Sequence, residues 1–157
     1  MLSTLTIVGI PIRADIKLHE LPCALAQECP DLVVFERRLV PGRIMAAAFD
    51  WVAVLSTTAD LLAIAGALWT VYTNLIQKRK RPDAKESPAF FIQVKTEQQT
   101  FVQLVIDKDT TRETFTEEFT ETVSGLRAAE GSHSKETIIE EYERSESYRR
   151  VHVRKDA

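Results

Sequence analysis

The sequence predicts an α+β fold: a small mixed sheet in the order β-α-β-α-β-β-α with one long hydrophobic helix, a ferredoxin-like or related sandwich. Three observations predict it. Short β-branched runs alternate with segments of helical period. Proline and glycine punctuate the chain between them. One long, nearly uncharged stretch fills the middle of the chain. Alternating elements of this kind form one sheet covered by helices. The 157 residues suit a single domain over 1–130. A charged tail, 131–157, stands apart by composition and is expected to be disordered or ordered by a partner.

The hydrophobic fraction of 45% is enough for a core and excludes a wholly disordered or collagen-like chain. Twenty basic against 23 acidic side chains, a net charge of −3, exclude nucleic-acid binding by bulk charge. Two cysteines, Cys23 and Cys29, are too few for a disulfide-stapled secreted scaffold. Reduced thiols and a cytoplasmic setting follow. The N-terminal apolar run has no basic segment before it, and Pro11 and Arg13 follow closely, so it does not read as a signal peptide.

Leu5 to Ile12 is apolar and β-branched, a buried strand. Leu18, Leu21 and Leu25 recur at i, i+3 and i+7 in a short helix to Ala26, with Pro22 tolerable only in the first turn. Pro30-Asp31 breaks it. Leu32 to Val40 is a second strand, stopped by Pro41-Gly42.

From Ile44 to Gln77 only Asp50 and Asp60 are charged, and a basic run, Lys78, Arg79, Lys80 and Arg81, then Pro82, closes the stretch as a helix C-terminus does. One helix of this length would span roughly 50 Å. Ser56-Thr57-Thr58 is its weakest point, since these side chains compete for backbone hydrogen bonds.

Residues 82–88 form a polar linker. Ala89 to Lys95 and Thr100 to Asp107 form a β-hairpin across Glu97-Gln98-Gln99. Asp109 or Thr110 can cap the next helix, with Glu113 placed for a capping box. Phe115, Phe119, Val123 and Leu126 give that helix one apolar face, and Gly131-Ser132 closes it. In the tail a short helix capped by Ser134 and a late edge strand at 149–154 compete with disorder.

Three readings of the long helix stay open. It can pack on the sheet as core. It can be a transmembrane or oligomerising segment over 55–77, which is long enough and has Trp69 and Tyr72 near a basic end; Asp60 at depth would cost about 3 kcal/mol there. It can present an apolar flank to a protein partner, with Leu61, Leu68, Trp69, Tyr72, Leu75 and Ile76 as anchors.

Chemistry-bearing residues are sparse. His19 and Cys23 share a helical face with Cys29 nearby, but structural zinc wants four ligands and no second pair is close, so no metal and no cofactor is expected. A Cys/His nucleophile has no flanking motif here. Five glycines leave little room for a phosphate-cradling loop. Glu117, Glu118 and Glu121 read as a solvated face, and Asp109 as a cap. The basic run can touch anionic lipid, but complementing its own helix dipole explains it more simply.

The middle of the chain reads LVVFERRLVPGRIMAAAFDWVAVLSTTADLLAIAGALWTVYTNLIQKRKR, then AFFIQVKTEQQTFVQLVID: a strand, Pro-Gly, a long Ala/Leu-rich stretch with a basic end, then a hairpin. In this pattern, over roughly residues 30 to 125, the chain resembles the small effector-associated constant components of bacterial conflict systems. The resemblance implies a non-enzymatic accessory subunit that tethers or regulates an effector, and it carries over no catalytic residues. The combined expectation is an adaptor without catalysis that docks an effector or regulatory protein through the helix flank. Homo-oligomer formation and membrane association stand as alternatives, with a small Cys/His enzyme behind them.

Overall fold

The structure is a computed structural model; it describes residues 4–17, 20–30, 32–37, 49–55, 59–95, 101–125, 135–145 and 148–151. Strands β1 (Thr4–Ile12), β2 (Val33–Arg37), β3 (Phe49–Val54), β4 (Ala89–Lys95), β5 (Phe101–Ile106) and β6 (Tyr148–Arg150) form one sheet in the order β5-β4-β1-β3-β2-β6. Every neighbouring pair is antiparallel. Helices α1 (Glu20–Glu28), α2 (Ala59–Val71) and α3 (Arg112–Gly125) cover one face, and α4 (Lys135–Arg144) packs on part of the other. The α+β class is as the sequence predicts.

The single helix over 44–77 is not. Residues 49–54 are strand β3, so the observed order gains a strand before α2. The reason lies in burial on both sides. Trp51 and Ala53 point into the helix-covered core, while Val52 and Val54 point into the smaller core under α4. A strand buried on both faces loses the apolar–polar alternation that marks a strand and reads like buried helix. The suspected weak point, Ser56 to Thr58, lies outside the described residues, between β3 and α2.

Helix α2 runs 13 residues and continues through one π-helical turn, Tyr72–Ile76, into a short 3₁₀ turn, Gln77–Arg79. In the π turn the Gln77 N–H donates to the Tyr72 carbonyl, five residues back. Among the described residues no helix is long and apolar enough to cross a membrane. The uniform greasiness of α2 has a different cause. It lies between α1 and α3 as well as on the sheet, so three sides of it are inside. Ala65 and Ala67 are buried, and Gly66 sits beside Arg112 of α3. These small residues allow close approach of the neighbouring helices.

The main core joins Leu5 and Ile7 of β1, Phe90 and Ile92 of β4, Leu21 and Leu25 of α1, and Phe115, Phe119 and Val123 of α3. The one-sided stripe predicted for α3 is the stripe it buries; Leu126 lies outside the described residues. The tail carries a short helix and an edge strand, the two ordered alternatives that competed with disorder. Residues 135–145 and 148–151 are docked on the domain, with β6 paired to β2 and Val151 N–H bonded to the Val34 carbonyl at 3.0 Å. Ile138 is buried against Phe35, Val52 and Val54. The apolar residues scattered in that charged segment suffice to close a second small core.

Candidate docking surface

The residues expected to anchor a partner are mostly interior. Leu61, Leu68, Tyr72 and Ile76 are buried in the main core, and Trp69 and Leu75 are half-buried against it. The Tyr72 hydroxyl donates to the Pro88 carbonyl at 3.4 Å, and burial, with the Asp107 and Asp109 carboxylates nearby, raises its pKa above the usual phenol value. The helix flank is therefore occupied by the protein's own sheet and helices. Leu62, 57% exposed, is the large apolar side chain that α2 does present to solvent.

The basic run is exposed, as expected, but its backbone is fastened. The Arg79 carbonyl accepts from the Asp15 N–H at 2.8 Å, and the Arg81 N–H donates to the Arg13 carbonyl at 3.0 Å. The Arg79 guanidinium holds both oxygens of Glu20, at 2.6 and 2.8 Å. Glu20 also accepts from the Lys17 N–H at the start of α1. Arg13 takes a left-handed backbone, φ 60, unusual for a non-glycine residue. Its side chain donates to the Ser87 carbonyl at 2.8 Å and faces Glu86 at 3.4 Å. So Arg79 serves the fold, while Lys78, Lys80 and Arg81 extend into solvent. Sequence reasoning missed Arg13, which tertiary pairing alone brings to this corner.

The two thiols differ in burial. Cys29 is buried, and its Sγ donates to the Ala63 carbonyl at 3.5 Å. Burial first, then the Glu28 and Asp60 charges, push its thiol up to about 11, so it stays protonated near neutrality. Cys23 is exposed, and neither cysteine is in a disulfide. His19, His133 and His152 lie outside the described residues. Among the described residues no group of His, Cys, Asp and Glu is placed to hold a metal ion. Glu117, Glu118 and Glu121 are exposed on α3, as a solvated face requires. Asp107 Oδ1 accepts from the Asp109 N–H at 2.9 Å and from the Thr110 hydroxyl at 3.1 Å, a turn lock rather than a ligand set.

The unassigned surface is on the sheet. Helix α4 covers the β2–β3 half of the outer face. On the other half, Ile10, Phe91 and Val105 stand in one cross-strand row, since Ile10 pairs with Phe91 and Phe91 with Val105. They are 37%, 41% and 42% exposed. Gln103, also exposed, lies two residues from Val105 on the same face of β5.

The two sheet edges differ sharply. Strand β6 is three residues long, two of them arginine, and Arg150 is engaged by Glu143 at 3.2 Å. Short, charged strands are how proteins blunt an edge. Strand β5 reads FVQLVI, six residues without a charge or a proline. Among the described residues it pairs only with β4, so its outer row of N–H and C=O groups faces away from the sheet. The signal was present in the sequence, but it means something only once β5 is known to be an edge.

Comparison of the chain with family models, with curated proteins and with solved structures finds no match.

Proposed function

We propose that this chain is a non-catalytic docking module, an adaptor or accessory subunit that works by protein–protein contact. Its working surface is the β5 edge with the adjoining open face of β4 and β1, and its occupant is an extended polypeptide segment that adds to the sheet as a further strand. The observation that carries this reading is the contrast between a blunted β6 edge and an unguarded β5 edge. Backbone pairing at such an edge supplies affinity, and alternate side chains landing beside Val105 and Phe91 supply selectivity. The reading keeps the accessory role that the sequence resemblance implies and moves the contact from helix to sheet. The first six elements run β-α-β-β-α-β with strand order β4-β1-β3-β2, which supports a ferredoxin-like core extended by one strand at each edge.

A random peptide library selected against the full chain tests the reading. Selected ligands should alternate β-branched and polar residues. They should lose at least tenfold in affinity for a Gln103→Lys, Val105→Lys double variant, and keep it for Leu62→Asp. Ligands that bind the double variant as tightly as the native chain would remove the edge from consideration.

A further inference from the structure

Resting on that docking reading, we propose that the strand received by the β5 edge is the β5 of a second copy, so that two chains join about a two-fold axis into one continuous twelve-stranded antiparallel sheet.

Four features support it. A two-fold axis through Gln103 or Leu104 maps each residue onto its own face, so outer side chains meet outer side chains without a register conflict. The six residues of β5 carry no charge, so two copies approach without repulsion along the strand. The ends of the strand differ: Lys95 pairs with its first residue, and the net-acidic corner Asp107-Lys108-Asp109 follows its last. An antiparallel approach turns the net-acidic corner of each copy toward the other end of the partner strand, where Lys95 and Glu97 balance in the sequence, whereas a parallel approach would set acid against acid. Finally, the assembly closes. Pairing consumes the open edge of both copies, and the edges left outside are the short, arginine-bearing β6 strands, so growth stops at two.

The consequence for the surface is specific. Each copy contributes its row Ile10, Phe91, Val105; with the axis at Leu104 each Val105 stands opposite Gln103 of the other copy, so the two rows flank the dyad, offset by two residues. The joint itself is modest. A six-residue edge extends about 20 Å, and pairing there falls below the roughly 1,000 Å² that a permanent interface buries. A concentration-dependent equilibrium, with dissociation in the micromolar range, is the expected form.

Light scattering and sedimentation equilibrium of the full chain from about 5 to 500 μM, bracketing that range, test the proposal. The mass should rise from one chain to two and no further. Gln103→Lys and Val105→Lys, both at exposed positions, each put two lysines into an uncharged joint and should each raise the dissociation constant tenfold or more while the thermal midpoint stays within experimental error. Leu62→Asp, on α2 and away from the sheet edge, should leave dimerisation unchanged. A dimer lost in Phe91→Lys and kept in Val105→Lys would mean face-to-face packing and would overturn edge pairing. A single mass of one chain throughout would also overturn it. If selected peptides still depend on Gln103 and Val105 in that case, the docking reading stands with a foreign strand as occupant. If they do not, both readings fall.

Discussion

The ring of Tyr142 stacks on that of Phe35 with centroids 5.2 Å apart and planes 25° from parallel, while Tyr148 meets Tyr142 edge-on at 5.1 Å. This aromatic trio joins β2, α4 and β6. It explains how a segment dense in glutamate and arginine holds to the sheet: Ile138, Ile139, Tyr142 and Tyr148 share the small core with Phe35, Val52 and Val54.

Replacing Tyr142 by Ala should therefore loosen the C-terminal segment selectively. Aromatic contacts of this kind are worth about 1 kcal/mol beyond the area they bury. A thermal midpoint lowered by about 3–6 °C is expected, together with faster tryptic cleavage at Arg144. Cleavage at native rates would mean that the trio contributes nothing to docking.

Leu68 and Leu62 separate the core reading of α2 from a docking reading. Leu68 is fully buried, so Leu68→Ala should cost about 2–5 kcal/mol. Leu68→Asp should abolish soluble folded protein. Leu62 is exposed, and Leu62→Asp should change stability by no more than about 0.5 kcal/mol in urea melts. Equal tolerance at both positions would contradict the packing of α2 between α1 and α3.

Cys29 gives the fold an alkaline limit. Its folded value, about 11, lies above the usual 9.0. The native state thus holds this proton more tightly than the unfolded chain does. The resulting stability is fully present below pH 9 and is lost as pH rises through about 11. The thermal midpoint should fall across that window, and fall less in Cys29→Ala. At pH 8 iodoacetamide should label Cys23 and spare Cys29 until the protein is denatured. Rapid native labelling at both thiols would refute the burial of Cys29.

What the sequence made legible were elements with one wet side. The β4–β5 hairpin, the α3 stripe of Phe115, Phe119 and Val123, and the first helix each carry a period that polar residues make visible, and the first strand shows as a short β-branched run ending at Pro11. What it concealed were elements dry on several sides. Trp51-Val52-Ala53-Val54 gives no alternation because a core lies on either face. The α2 pattern suits a sheet-packed core, a bilayer or an interface equally, and topology alone decides among them. The candidate surface was concealed for the opposite reason. Phe91, Val105 and Ile10 are ordinary strand residues, and their exposure depends on where α4 stops covering the sheet.

The π turn at Tyr72–Ile76 makes chain length between core and corner a metered quantity. One residue advances an α-helix by about 100°, so the wide turn sets the phase at which the peptide reaches Arg79. That phase lets the Arg79 carbonyl meet Asp15 while its guanidinium meets Glu20. A single deletion within 72–76 would rotate both partners out of reach at once, so the residue number of this turn is held as firmly as its buried side chains Tyr72 and Ile76.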